Sequence, residues 1–149
     1  MSGIVVGYDA IRPKNIPDNA EAVFPYADGQ YAWLHDRFPS ALYRYITVKG
    51  DVGVDIADFE PGCMWPVDRV AQWAHDRIDA GKDVTVYTDR DNFPIVRDGL
   101  AGINWHLFLS VGTDPILKSY RGMPVRACQR FGLGFDIDTV FEPEWLNKP

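Results

Sequence analysis

Two carboxylates stand two residues apart at the end of an apolar run, Val52-Gly53-Val54-Asp55-Ile56-Ala57-Asp58-Phe59-Glu60, which Pro61-Gly62 then stops. Side chains alternate faces along a strand, so a strand here places Val54, Ile56, Asp58 and Glu60 on one side and Phe59 on the other. Folds of the α/β class build their sites at the carboxyl ends of buried strands. Paired acids in that position suit glycoside hydrolysis, in which one acid protonates the leaving oxygen and a second charge stands beside an oxocarbenium-like transition state. Glu60 is the expected general acid, because burial and repulsion from Asp58 would both raise its pKa towards neutrality. Asp58 is the expected second carboxylate. The competing reading has both acids capping a neighbouring helix or meeting arginines at a loop.

Further acids follow the same logic. Asp9 closes the apolar run Ile4-Val5-Val6-Gly7-Tyr8, and Asp136 and Asp138 follow the Gly132-Leu133-Gly134 turn. Asp9 and Asp136 are candidate site members; Asp138, after such a turn, can equally cap backbone amides. Sugars stack on aromatic faces, so Tyr87, Trp65, Trp105 and Tyr45 are candidate substrate contacts, against the ordinary alternative of core-edge packing. Gln129 can hydrogen-bond a substrate or bridge strands. His35, His75 and His106 lack metal spacing or a nucleophilic partner, and Cys63 and Cys128 form neither a metal motif nor a disulfide framework. The acids Asp9, Asp58, Glu60 and Asp136 also fit Mg²⁺ or Mn²⁺ binding in a phosphoesterase, although no Lys or Arg phosphate motif accompanies them.

The elements that must position these groups are legible in part. The chain has 149 residues and is expected to form a single domain over 1–149. Formal net charge is −6 and no basic face is visible, so nucleic acid is disfavoured as a partner. No apolar run approaches the ~20 residues that cross a bilayer, and the N-terminus lacks a basic region and long apolar core, so a soluble protein without an export signal is expected. Strands are expected at 4–8, within 41–48, from 52 to the acids, and at 84–88, 105–110 and 125–130. The clearest helix covers 67–80, with Val67, Val70, Ala71, Ala74 and Ile78 as its apolar stripe and Asp68, Asp76 and Arg77 facing water. Shorter helices are expected at 92–100 and 113–119. Alternating strands and helices indicate an α/β architecture. Val48 and Val52 lie too close for neighbouring parallel strands, so either a hairpin joins them or one is not a strand. With ~200 residues needed for the smallest complete eight-unit barrel, a reduced or incomplete β/α barrel with short helices is the expected fold.

The order of Gly7-Tyr8-Asp9, Asp58-Phe59-Glu60, Val84-Thr85-Val86-Tyr87-Thr88 and Cys128-Gln129 with Phe135-Asp136-Ile137-Asp138-Thr139-Val140-Phe141 resembles family 25 glycoside hydrolases and the related domains of actinobacteria and their phages. The resemblance spans 4–141, with 52–141 its closest part. It implies a modified β/α barrel (TIM-barrel-like), muramidase action on the peptidoglycan sugar backbone, and a location in a host cell's cytoplasm or with a phage. It also implies that the sugar's own 2-acetamido group is the nucleophile, with Asp58 orienting it. Cell-wall polysaccharide is then the partner, with no cofactor, membrane or nucleic acid involved. Only 49 residues (58 minus 9) separate Asp9 from Asp58, where the family fits further strand–helix units. A barrel shortened in this way has a second reading, a catalytically silent binding or virion-structural module.

Overall fold

The structure is a computed structural model and describes residues 3–10, 12–30, 32–33, 37–60 and 66–148. Its strands are β1 (Val5–Asp9), β2 (Ala22–Val23), β3 (Leu42–Tyr43), β4 (Ile46–Thr47), β5 (Ile56–Phe59), β6 (Thr85–Asp89), β7 (His106–Ser110), β8 (Ser119–Tyr120), β9 (Met123–Phe131) and β10 (Asp136–Val140). Two α-helices, α1 (Val67–Asp79) and α2 (Phe93–Gly99), follow β5 and β6, and short 3-10 turns occupy Pro13–Asn15 and Pro143–Asn147. The sheet order is β3-β2-β1-β10-β9-β7-β6-β5-β4, with β8 paired to β9. Neighbours are parallel except around β10, which runs antiparallel to both β1 and β9, and at β8, which runs antiparallel to β9.

The sheet curls until its two ends meet. β3 pairs with β2 and β4 pairs with β5, yet only Arg44 and Tyr45 separate β3 from β4. Along this one extended segment the Arg44 and Ile46 amides donate to Val23 and Pro25 carbonyls on one side, while Tyr45 O accepts from the Ile56 amide on the other.

Alternation along the strands sorts two cores. Ala57, Phe59, Val86, Leu107 and Leu109 pack outward against Val70, Trp73 and Ala74 of α1 and Phe93 and Val96 of α2. Ile56, Tyr87, Phe108, Ala127 and Val140 point inward, where Phe24 and Trp145 join them. Gly7 is required there: a Cβ at that position would lie 2.6 Å from the Phe24 ring. The second 3-10 turn inserts Trp145 beneath Phe24, ring over ring at 6.1 Å.

The Val48–Val52 difficulty resolves in an unexpected way. Residues 52–55 are turn and bend rather than strand, and β4 and β5 are parallel neighbours joined only by residues 48–55, without a crossover helix. Such a short connection needs fasteners. Thr47 Oγ1 accepts the amides of Lys49, Gly50 and Asp51 and donates to Asp28 Oδ2 at 2.6 Å. From α1, Trp73 Nε1 donates to Asp51 O at 2.9 Å.

Arg77, expected to face water, is 2% exposed. Its Nη1 donates to Val52 O and Val54 O, both at 2.8 Å, and its Nε to Asp83 O at 2.7 Å. The helix therefore lies over the connection, and carbonyls beneath it need a donor from the helix face that the apolar stripe leaves polar. Ile78, assigned to that stripe, is largely exposed.

The helix expected at 113–119 is absent. Ser119 and Tyr120 instead pair with Pro124 and Met123 across a tight turn in which Arg121 (φ 48°) and Gly122 (φ 81°) are both left-handed. That is the type I′ geometry that suits a two-residue hairpin.

Candidate active site

The inward positions at the carboxyl ends of β1, β5, β7 and β9, and the one that follows β2, carry polar groups. Alternation from Val5 and Gly7 brings in Asp9; Phe24 brings in Tyr26; Ile56 brings in Asp58 and then Glu60; Phe108 brings in Ser110; and Ala127 brings in Gln129. Because β10 runs the other way, its beginning supplies Asp136 opposite Asp9, and Asp138 opposite Gln129. Four of the acids expected in a site, Asp9, Asp58, Glu60 and Asp136, thus share one end of the sheet with Asp138, Tyr87 and Gln129.

A hydrogen-bonded chain crosses this end. Tyr87 OH donates to Gln129 Oε1, and Gln129 Nε2 donates to Asp9 Oδ2 at 2.6 Å. Tyr26 OH donates to Asp58 Oδ2 at 3.2 Å. Below lie aromatic rings, with Phe108 edge-on to both Phe24 and Tyr87 at 5.3 Å. Asp89 accepts the Asn92 amide at 2.8 Å, fixing the entry to α2, and its charge also bears on Glu60.

This apolar floor governs the protons. Burial raises Asp9 from 3.8 to about 7, and raises Asp58 and Asp138 well above the usual carboxylate range; burial raises Glu60 and Asp136 as well. Contacts between the acids set the order. Asp58 is raised further by its contact with Glu60, while the same contact holds Glu60 lower. Asp138 is likewise raised by its contact with Asp9, while Asp136 is lowered by its own contact with Asp9. Neither oxygen of Asp138 meets a donor in good hydrogen-bond geometry, which agrees with a protonated, neutral side chain. Asp58 and Asp138 are thus the most strongly raised, and Glu60 and Asp136 form the half-buried pair at the mouth.

A pH dependence of stability follows. These carboxyls release protons at pH ~4 when unfolded but hold them to higher pH when folded, up to about 7 for Asp9. Their burial therefore costs nothing below pH ~4, and the cost grows as pH rises through the folded values. Urea unfolding should give a larger free energy at pH 5 than at pH 8, by on the order of a few kcal/mol. Asp138→Asn should raise stability at pH 8 and flatten the slope; equal stability at both pH values in the wild type would contradict the assignment of protons.

Two expected substrate contacts lie elsewhere. Trp105 immediately precedes β7, at the end of that strand remote from Ser110, and is buried against Phe93 in the helical core. Tyr45 faces away from the interior, since its neighbour Ile46 points inward, and it stacks on Tyr43 at 6.1 Å. Both aromatics pack structure. Trp65, His35 and Cys63 lie outside the described residues. His75 is exposed on α1, and His106 begins β7 away from the acids, its pKa lowered by burial and by Arg126.

Sequence reasoning passed over Tyr26 and Ser110. The signal for Tyr26 was the run Ala22-Val23-Phe24, whose alternation predicts an inward Tyr26, but Pro25 makes it resemble a loop. Beside the acids opens a groove of about 480 Å³ lined by Ala10, Arg12, Asn15, Phe135 and Asp136 together with Gly132 and Gly134. Among the described residues no three His, Cys, Asp or Glu side chains are disposed to hold one metal ion, so the phosphoesterase reading gains no geometric support.

No family model matches the chain, and no curated protein matches it. Among solved structures it is similar to one described as the 1.07 Å crystal structure of an uncharacterized B. stearothermophilus protein, with 11% identity and a TM-score of 0.59 over 91% of this chain and 95% of that one. At that identity the likeness concerns the fold alone: a mixed α/β chain with a curled sheet and few short helices. No helix among the described residues is long and apolar enough to cross a membrane.

Proposed function

We propose that the chain is a shortened β/α-barrel glycoside hydrolase acting on the peptidoglycan sugar backbone, with the Asp58–Glu60 couple as its acid. The observation that carries this reading is the meeting of Asp9, Asp58, Glu60 and Asp136, from three separate regions of the chain, at one end of the curled sheet. Glu60 is the half-buried member of the couple, its pKa raised by burial, and is placed to pass a proton to a leaving oxygen. Asp58 is 0% exposed and assists from behind, tuned by Tyr26. Asp136, the other half-buried acid, supplies negative charge near the developing oxocarbenium ion. Asp9, Gln129 and Tyr87 hold this geometry through their hydrogen-bonded chain.

A second reading has one observation in its favour. Asp9, Asp58 and Asp138 are sealed from solvent, as in a pocket that binds without reacting. Incubation with purified peptidoglycan separates the two. The hydrolase releases new reducing ends, faster at pH 5 than at pH 8 because the acid couple is then more fully protonated. Wall binding without reducing ends between pH 4 and 8 identifies the silent module, and the absence of both removes the saccharide reading.

A further inference from the structure

The end of the sheet remote from the acids holds a second cavity, of about 250 Å³, whose walls are cationic. Arg44, Arg77, Lys82 and Lys148 line it against only Asp55 and Asp83. Four cations and two acids leave a local charge of +2 in a protein of net charge −6. The topology explains the gathering. Asp55 and Asp83 stand just before β5 and β6, Arg44 lies between β3 and β4, Lys82 follows α1, and Lys148 follows the second 3-10 turn. Asp58 and Glu60 lie at the opposite end of β5, so the cavity is separate from the acid site.

Both lining acids are already matched. Asp55 meets Arg77 Nη2 at 3.4 Å and Arg44 Nη1 at 3.6 Å, and Asp83 Oδ2 accepts from Arg126 Nη1 at 2.9 Å. Arg77 spends its other donors on the carbonyls of Val52, Val54 and Asp83, so it brings charge and rigidity. Arg44 has donors left over. Its Nη2 donates to Trp145 O at 2.7 Å and to Lys148 O, but Nη1 reaches Asp55 beyond hydrogen-bond distance and the buried Nε has no partner. Lys82 and Lys148 are exposed and form no ion pair among the described residues. Unmatched lysines are ordinary on a flat surface; around a concavity that also holds two arginines, their fields add and attract an anion. The volume lies below the roughly 300–1,000 Å³ of sites for drug-sized ligands, which points to a small one. A surplus of two charges, a guanidinium fork and two ammonium groups suit the several acceptor oxygens of a dianionic phosphate.

We propose that this cavity binds a phosphate dianion, free or as the phosphoryl group of a small monoester, with Lys82 and Lys148 as counter-charges and Arg44 as the fork. The inference does not rest on the saccharide reading. The bound anion bridges the loop before β6, the β3–β4 join and the chain after Trp145, the residue that stacks on Phe24 inside the sheet. It therefore steadies the barrel from the end opposite its acids.

Calorimetric titration at pH 8 and low salt tests the site with inorganic phosphate, glycerol 3-phosphate and acetate, the first two being dianionic there. One of the phosphates should bind with a dissociation constant of about 1 mM or below, and acetate at least about tenfold more weakly. The tighter of the two phosphates identifies the free ion or the monoester as occupant. Lys82→Gln combined with Lys148→Gln alters only exposed side chains, so the fold is retained. This pair should weaken phosphate binding at least about tenfold and erase the rise in melting temperature that phosphate gives the wild type. Lys82→Arg with Lys148→Arg should keep both effects, while Arg44→Lys should weaken phosphate by replacing the fork with a point charge. Acetate binding as tightly as phosphate, phosphate binding that the paired Gln replacements leave unchanged, or no binding at millimolar phosphate overturns the proposal.

Discussion

Glu60→Gln should reduce the release of reducing ends from peptidoglycan by about 10²- to 10⁴-fold, the range that a positioned general acid contributes. The replacement keeps the shape of the side chain and its contact with Asp58 but removes the ionisable oxygen. Glu60 sits at the mouth, where burial and the charges of Asp89 and Asp136 hold its pKa up, so the variant loses a repelled charge rather than a partner. Its melting temperature at pH 7 should accordingly equal or exceed that of the wild type. Retained activity with an intact fold would transfer the acid role to another residue and remove the basis for the couple. Loss of activity accompanied by a collapsed melting temperature would instead make Glu60 a structural group.

Arg77→Met should produce the largest loss of stability, about 3–5 kcal/mol, the range for removing one partner from a buried charged network. Methionine occupies much of the same space, so the loss reports hydrogen bonds rather than a cavity. Val52 O, Val54 O and Asp83 O each lose a donor beneath α1, and Asp55 loses a counter-charge 3.4 Å away. For a chain of this size the melting temperature should fall by roughly 10 °C. A drop below about 1 kcal/mol would show that water reaches those carbonyls. The same change acts on the site indirectly, because the connection Arg77 holds leads straight into β5 and its acids.

The acids were legible because strand alternation is local. Two aliphatics and two acids at even spacing before Pro61-Gly62 require no knowledge of the rest of the chain. Their meeting was not legible, since it depends on β10 reversing direction to put Asp136 opposite Asp9. Tyr26 escaped because β2 spans only two residues and Pro25 follows its last apolar pair. Trp105 and Tyr45 misled for a different reason. An aromatic at a strand end looks alike at either end and on either face, and only the sheet's curvature separates the polar mouth from the helical core. Arg77 misled because a helical wheel registers apolar residues but not the carbonyls of a loop lying under the helix.

The meeting of β3 and β4 has a mechanical consequence. Most strands here run alongside their neighbours for four residues or more, but β2, β3 and β4 contribute two each. The join is therefore the shortest stave of the hoop, with the fewest amides to shear. If it parts, the hoop becomes an open ribbon with two bare margins, each able to template a foreign strand. Aggregation on heating should then begin at residues 42–47, and amides there should exchange with deuterium before those of β6 and β7.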